Sequence, residues 1–215
     1  MCSVSIWREA IAVGSDLPLS PTSQVGVEVR PLRQLTGESE FNEIFFTDVR
    51  VPAENILGEI GGGWEVAMTT LLHERGTLGF ALQAALEVQV RKLIALARDR
   101  GADQLQRDRI AREWMEMQAL RFTNYRSLSA LMKTGMPGPE GSISKLVWSE
   151  ANQRVTKLAL ELLGPDAALG DENAPYGGYW QHQQLRSRGN TIEAGTSEIL
   201  RNIVAERVLG LPKSR

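Results

Sequence analysis

Two glutamates in this sequence lie where a carboxylate could take a proton from a bound molecule. Glu193 lies in the stretch NTIEAGTSEI, residues 190–199, a Gly-containing turn that precedes a predicted helix. Glu74 lies far upstream in the stretch LLHERG, inside a segment with helical periodicity. By residue type, either glutamate could act as a general base.

The predicted helix face around Glu74 is apolar. Residues that recur at three- and four-residue steps share one face of a helix; here they are Ala67, Leu71, Leu78, Ala81, Leu82 and Ala85. An unpaired carboxylate in such a stripe is costly, and burial raises its pKa toward the range that a base near neutral pH requires. The alternative is a structural Glu74, neutralised by an arginine from another helix or placed at the solvent edge of the stripe. Arg75 is not an obvious partner, since consecutive helical residues point about 100° apart.

Two further patterns suggest chemistry but have simpler explanations. Residues 142–145 (SISK) and 133–135 (KTG) match motifs of penicillin-recognising serine enzymes, but the KTG precedes the serine, which reverses the order of those motifs. A helix that begins after a Gly-rich turn explains both. Residues 61–63 (GGG) lack the spacing of a dinucleotide fingerprint and indicate a strand-to-helix hinge.

The composition is that of a soluble globular protein. The 215 residues are 42% hydrophobic and 23% charged with a formal net charge of −2, which argues against a nucleic-acid binder. A lone cysteine (Cys2) and two distant histidines (His73 and His182) disfavour a disulfide framework and a His-based metal site. No apolar run is long enough to span a membrane, and the N-terminus lacks the apolar core of a signal peptide, so we expect a cytoplasmic protein.

The elements that must position the two glutamates divide the chain into three predicted parts. Residues 1–24 have no clear period and are expected to be irregular. Residues 25–58 contain two predicted strands, VGVEVRPL and FNEIFFTDVRVP, around a TGES turn, and two strands alone make no stable sheet. Residues 59–215 are predicted to be helical, with helices over about 64–98 (broken or strained near Gly76 and Gly79), 104–133, 143–163, 180–185 and 197–209.

The second of these helices is apolar on two faces. One face carries Ile110, Trp114, Met117, Leu120, Leu128 and Leu131, and the other carries Met115, Ala119 and Phe122. A helix of this kind is buried on more than one side, in a bundle core or at the centre of an oligomer. We therefore expect a dimer or a dimer of dimers.

Three stretches resemble the acyl-CoA dehydrogenase family: residues 27–76, residues 138–154 and, most specifically, NTIEAGTSEILRNIVAERVLGLP at residues 190–212. The resemblance implies a mainly α fold, the family's C-terminal helical bundle preceded by a short β-hairpin remnant of its middle β-domain. The family's N-terminal helical domain and the first strands of its β-domain have no counterpart in the sequence.

The resemblance also implies an activity and a base. Family members bind FAD and oxidise acyl-CoA thioesters to enoyl-CoA, with a glutamate that removes the α-proton. In the common motif of this family that glutamate falls on Ala194 here, and Glu193 is one residue off. A minority branch carries the base in an E-R pair on a helix, which places it on Glu74, followed by Arg75 as a substrate-binding residue. The stripe and the resemblance therefore favour Glu74 over Glu193.

The resemblance assigns further residues to the flavin. Thr196 and Glu198, at the start of the last helix, match cofactor-binding positions, although the family often has Gln at the second. Arg100 matches an arginine that reaches the flavin of a neighbouring subunit, and Glu161 and Gly164 match positions near the adenine. The implied partners are an acyl-CoA substrate, an electron-transfer flavoprotein or equivalent acceptor, and a second copy or a related subunit in an oligomer.

Three functions remain open from the sequence. The first is an acyl-CoA dehydrogenase that uses Glu74. The second is a non-catalytic chain, either truncated or a partner subunit that completes a flavin site in an oligomer. The third is a related flavin monooxygenase, which would need no α-proton base.

Overall fold

The computed structural model describes residues 17–18, 25–170 and 173–213. The chain divides into two compact units, Met1–Leu71 and Leu72–Arg215. They are described separately below.

The first unit contains two short antiparallel ladders. Strand β2 (Val27–Leu32) pairs with β3 (Phe41–Phe46), with Val27 opposite Phe46 and Leu32 opposite Phe41. Strand β1 (Leu17–Pro18) pairs with β4 (Ile56–Leu57). The predicted hairpin is confirmed. Apart from Leu17–Pro18, which form a strand, the segment expected to be irregular (residues 1–24) lies outside the described residues or at their edge.

The hairpin begins at a position that only glycine fits. Gly26 has φ of +92°, and a Cβ there would lie 2.3 Å from the carbonyl oxygen of Thr47. The strands that follow remain open, since five of the six residues of β2 are exposed. Such a pair of strands supplies little burial of its own.

The second unit is a helical bundle. Its helices are α1 (Gly63–Arg100, which begins in the first unit), α2 (Gln104–Thr134), α3 (Gly141–Leu163), α4 (Tyr179–Asn190) and α5 (Ser197–Ile203), followed by a π-helical turn at Val204–Val208. The buried side chains of the core come from four of these helices and include Leu86, Val90, Leu93, Met117, Leu120, Val155, Leu158 and Trp180. The expected mainly α fold is confirmed.

Local signals set the ends of α2. Asp103 and Gln106 form a reciprocal capping box at its start, with Asp103 Oδ1 accepting from the Gln106 amide at 2.7 Å. Gly135, with φ of +72°, ends it in the left-handed conformation.

Two predictions about the helices differ from the structure: a break in the first helix and the length of the fourth. Helix α1 runs through Gly76 and Gly79 without a break, because one glycine costs a helix only about 1 kcal/mol and packing offsets it. The short helix expected at 180–185 is α4, which extends over Tyr179–Asn190. Its sequence, YWQHQQLRSRGN, is polar, so apolar periodicity underestimated its length.

The two apolar faces expected on α2 have different environments. Ile110, Met117 and Leu120 are buried, whereas Met115 and Phe122 on the second face are 61% and 65% exposed. The second face is therefore outside the bundle core of this chain. Trp114 is half-buried against the core.

Polar contacts join α2 to α3 as well. Arg154 of α3 bonds Glu113 at 2.8 Å and also contacts Glu116, and Arg109 of α2 pairs with Glu161. Glu113 takes a buried position that apolar periodicity does not reveal. Within the described residues, no helix is long and apolar enough to cross a membrane.

Candidate functional site

Helix α1 carries positions 74 and 75 in regular helical backbone. The side chains of Glu74 and Arg75 lie outside the described part of the structure. The catalytic role expected for Glu74 and the substrate-binding role expected for Arg75 therefore remain predictions.

The apolar stripe expected to continue from Glu74 is not the buried face of α1 in the second unit. Ala81 and Ala85 are exposed and Leu78 and Leu82 are half-buried, whereas the buried positions are Gly79, Gln83, Leu86, Val90 and Leu93. The buried face is rotated by about one residue, roughly 100°, from the stripe. The expected stripe is entirely Leu and Ala, whereas the buried face begins with Gly79 and Gln83, so apolar periodicity did not identify the face that packs.

A polar contact holds α1 close to α2 and α3 just beyond position 74. Asn124 Nδ2 donates to the carbonyl oxygen of Gly79 at 2.8 Å, and Ser144 Oγ donates to Asn124 Oδ1 at 2.5 Å. A Cβ on Gly79 would lie 3.0 Å from Asn124 Oδ1 and 3.3 Å from Ser144 Oγ. Gly79, where a break in α1 was expected, instead allows α1, α2 and α3 to approach one another closely.

The second candidate region is the turn at residues 190–196, between α4 and α5. The amides of Ile192 and Glu193 both donate to the Gly189 carbonyl, and the Ser197 amide donates to the Thr191 carbonyl at 3.1 Å. Ala194, at the position where the family motif has its base, has φ of +52°. That left-handed conformation is strained for a residue with a Cβ.

The carboxylate of Glu193 is bound within the chain. Asn190 Nδ2 donates to it at 2.7 Å, and Arg186 forms an ion pair with it at 3.2 Å. The Glu193 side chain retains 21% of its exposure. These contacts give the carboxylate a structural role in closing the turn.

Helix α3 supplies the other half of the support for this turn. Lys145, only 3% exposed, donates from Nζ to the carbonyl oxygens of Asn190 and Gly195, each at 2.7 Å. Asn152 Nδ2 donates to Asn190 Oδ1 at 2.9 Å, and Gln153 Nε2 donates to Thr191 Oγ1 at 3.1 Å.

Sequence reasoning missed the contribution of Lys145. Ile143, Leu146 and Val147, the apolar residues of the first turns of α3, are only half-buried. The buried polar positions in this half of the helix are Ser142, Ser144, Lys145, Ser149 and Asn152. Four of them, Ser142, Lys145, Ser149 and Asn152, recur at three- and four-residue steps, which was a usable signal only if a polar stripe is allowed to face inward.

The residues assigned to the flavin form two groups, one of which is at the start of α5. Thr196 Oγ1 accepts from the Ile199 amide at 3.3 Å and caps that helix. The backbone amide of Glu198 and the Thr196 hydroxyl lower the pKa of the exposed Glu198 carboxyl, so this side chain is anionic. Between them, the buried Ser197 Oγ has no hydrogen-bond partner among the residues that the structure describes.

The other group is at the end of α1 and α3. Arg100 Nη1 pairs with Asp166 at 3.0 Å in the 3-10 turn Gly164–Ala168, and its guanidinium lies 6.0 Å from the centre of the Tyr176 ring. Gly164 ends α3 with φ of +59°. Arg100 thus lies beside the turn that begins at Gly164, and the cofactor-binding roles expected of Arg100 and Gly164 remain predictions.

Glu161 has a partner of its own. Its carboxylate bonds Arg109, and this guanidinium lowers the pKa of the Glu161 carboxyl. It is therefore a charged residue of the α2–α3 contact.

Hydroxyl groups and a guanidinium are the groups that these two regions offer to a ligand. The described residues hold no cluster of three or more His, Cys, Asp or Glu side chains that could bind a metal ion. The turn offers the unpartnered Ser197 hydroxyl and the Thr196 hydroxyl, and Arg100 offers a cation that is 32% exposed. Hydroxyls and a guanidinium fit the phosphates and ribose of a dinucleotide, whereas the Glu198 carboxylate opposes a phosphate beside it.

Comparison with known proteins identifies the family. The C-terminal domain of acyl-CoA dehydrogenases matches residues 61–209. The chain belongs to the acyl-CoA dehydrogenase family, whose members are FAD-dependent oxidoreductases.

Relatives in actinobacteria show the same likeness. Acyl-CoA dehydrogenase IpdE1 of Mycolicibacterium smegmatis is 44% identical over 199 residues, covering 91% of this chain and 48% of the relative. The protein of the same name in Mycobacterium tuberculosis is 38% identical and is covered to 50%. The chain thus spans about half the length of these relatives. A solved structure, the Tcur3481-Tcur3483 steroid ACAD, superposes with a TM-score of 0.75 at 27% identity, covering 93% of this chain and 52% of that one.

Proposed function

We propose that this chain works as part of an FAD-dependent acyl-CoA dehydrogenase in which Glu74 removes the α-proton of an acyl-CoA thioester. The observation that carries the proposal is the state of the 190–196 turn. Its base position holds Ala194, and the neighbouring Glu193 carboxylate is bound to Arg186 and Asn190. The candidate that remains is the carboxylate at position 74, in the stretch HER on α1.

The residues of the chain have the following roles in this proposal. Glu74 accepts the α-proton, and Arg75 contacts the substrate. Thr196, Ser197 and Glu198 line the flavin side of the turn, and Arg100 with the Gly164 turn contacts a dinucleotide. The flavin, when bound, supplies the acceptor for the β-hydride. A separate electron-transfer flavoprotein or equivalent acceptor then reoxidises the enzyme.

The steroid enzyme among the similar structures widens the class of acyl group to test. That protein is named as a steroid acyl-CoA dehydrogenase of two chains. We therefore include bulky polycyclic thioesters beside straight and branched chains as substrates, and a related subunit beside a second copy as the partner.

A second candidate is a chain that completes a flavin site in an oligomer without catalysing the reaction itself. One observation favours it: the stripe of α1 that follows position 74 is exposed at Ala81 and Ala85. The exposed face of α2 at Met115 and Phe122 would then bury against a partner subunit.

A visible spectrum separates the two candidates. The purified chain is reconstituted with FAD, freed of excess cofactor and titrated anaerobically with straight-chain, branched and steroid-type acyl-CoA thioesters. The dehydrogenase proposal predicts a bound flavin whose absorbance bleaches with at least one thioester. A folded, colourless oligomer contradicts it and favours the partner subunit, and reduction by NAD(P)H alone points to monooxygenase chemistry.

A further inference from the structure

The first turns of α3 present a buried polar face to two different neighbours. Ser144 and Lys145 are adjacent in sequence and are 2% and 3% exposed. Consecutive helical residues point about 100° apart, so one helix can contact two elements with two successive side chains. Ser144 reaches α1 through Asn124, and Lys145 reaches the 190–196 turn.

We propose that Ser144 and Lys145 form a two-sided clamp that positions the two elements of the site. Ser144, acting through Asn124, fixes α1 at Gly79, five residues after the candidate base. Lys145 fixes the turn that carries Ala194 and Thr196. Both are positioning residues, since they act through other residues. That the clamped elements meet substrate and flavin rests on the proposed function.

The Ser144 side of the clamp depends on close approach. Asn124, 2% exposed, uses its amide nitrogen on the Gly79 carbonyl and its amide oxygen on the Ser144 hydroxyl, so it bridges α1 and α3. Because a Cβ at Gly79 would lie 3.0 Å from Asn124, a larger residue at 79 would push α1 away. The rotation and height of α1 are therefore set here, little more than one turn from position 74.

The Lys145 side depends on charge. A buried ammonium requires hydrogen-bond acceptors, and here two of them are main-chain carbonyls on either side of the turn. The Asn190 carbonyl is at the C-terminal end of α4, where the helix dipole favours a cation. The Gly195 carbonyl follows the strained Ala194. A single cation thus ties both ends of the turn to α3.

Hydrogen–deuterium exchange of the 215-residue chain tests the clamp without any flavin. Lys145→Met is compared with Asn124→Leu and with Leu158→Ala, a change in the apolar core later in α3 that removes no polar group. Exchange is followed at the Ile192, Glu193 and Ser197 amides and, separately, at the α1 amides around Gly79. Charged hydrogen bonds contribute enough that we expect exchange at the turn to rise about tenfold or more in Lys145→Met.

The pattern across variants decides the outcome. The clamp predicts that Lys145→Met speeds exchange at the turn and leaves α1 little changed, whereas Asn124→Leu speeds exchange in α1 and leaves the turn little changed. Leu158→Ala should lower the melting temperature without either local increase in exchange. Equal increases everywhere, in proportion to lost stability, would overturn it. Unchanged turn exchange in Lys145→Met would overturn it as well.

Restoring an ammonium group at position 145 tests whether its charged hydrogen bonds, and not only the packing of the side chain, hold the turn. In a Cys2→Ser background, Lys145→Cys is alkylated with bromoethylamine while unfolded and then refolded, which rebuilds a side chain of the same length with a terminal ammonium. Protection of the turn should return to within about twofold of the wild type, as expected when the charged hydrogen bonds are remade. Failure to return in a correctly melting protein counts against the clamp.

Measurements of FAD binding test whether the clamp affects the cofactor site. If the wild-type chain holds FAD, Lys145→Met should weaken FAD binding by about tenfold or more and alter the flavin absorption band, whereas Leu158→Ala should not. Intact FAD binding despite a loosened turn overturns the link to the cofactor. If the wild-type chain holds no FAD, the proposed function fails, and the exchange pattern alone still decides the clamp.

Discussion

The two regions that could supply the catalytic carboxylate differ in how they are held. The 190–196 turn is enclosed by polar contacts: Lys145, Asn152 and Gln153 reach it from α3, and Arg186 closes it from α4. The stripe of α1 after position 74 is apolar and partly exposed, and beside it the Gly79 carbonyl accepts a hydrogen bond from Asn124. A turn that holds Ala194 at the motif's base position can thus keep its geometry, because contacts from α3 and the Arg186–Glu193 ion pair maintain its shape.

The largest effect is expected when the catalytic glutamate is removed from position 74 and a glutamate is introduced at position 194 in the turn. Because general-base catalysis contributes roughly 10²- to 10⁴-fold, Glu74→Gln should nearly abolish flavin bleaching by acyl-CoA. Adding Ala194→Glu should restore part of it, less than the wild-type rate because position 194 is strained for a larger side chain. Stopped-flow bleaching of the single and double variants measures both. If the double variant is no faster than Glu74→Gln, the turn is not aimed at the reacting carbon.

Relieving the strain at Ala194 has a smaller effect, on stability. Ala194→Gly suits φ of +52° better, so it should raise the free energy of unfolding by roughly 1 kcal/mol, less the added chain entropy of glycine. Urea unfolding measures the change, with Ala119→Gly on the exposed face of α2 as the control that should be destabilised. A loss of stability in Ala194→Gly would mean that the turn does not impose this conformation.

Glu193→Gln tests whether the carboxylate of the turn has a structural and not a catalytic role. It removes one ion pair that is partly screened by solvent, so the loss of stability should be below about 1 kcal/mol. The rate of flavin bleaching should stay within about threefold of the wild type, since general-base loss would cost far more. A fall of a hundredfold or more would reassign the base to Glu193.

Two carboxylates at the α2–α3 contact should show opposite dependence on pH. Arg109 lowers the pKa of Glu161, so its contribution is present above the unfolded pKa and is lost as pH falls through the folded one. Burial raises the pKa of Glu113 despite Arg154, so the folded state holds that proton more tightly and stability falls as pH rises through this window. Compared with the wild type, Glu161→Gln should flatten the acid arm of stability, and Glu113→Gln should lose less stability between pH 4 and 7. Urea midpoints across that range measure both, and equal slopes in both variants would refute the assignment.

The sequence was sufficient for the elements but not for the faces that pack. The predicted bounds of α2, 104–133, agree with the observed Gln104–Thr134 to within one residue, and the turn followed from the residues around Gly195. The buried face of α1 did not follow from apolar periodicity, because it begins with Gly79 and Gln83. The buried Lys145 did not either, because its cost is offset by carbonyls that come from a part of the chain some fifty residues away and are absent from its local sequence.

The most direct test of the account compares three carboxylates in one assay. The rate of flavin bleaching by the best acyl-CoA is measured by stopped flow in Glu74→Gln, Glu193→Gln and Glu65→Gln, the last an exposed glutamate in the first turn of α1. We expect a fall of roughly 10²- to 10⁴-fold in Glu74→Gln alone, with the other two close to the wild type. A Glu74→Gln variant that still bleaches at the wild-type rate would contradict the assignment of the base to α1.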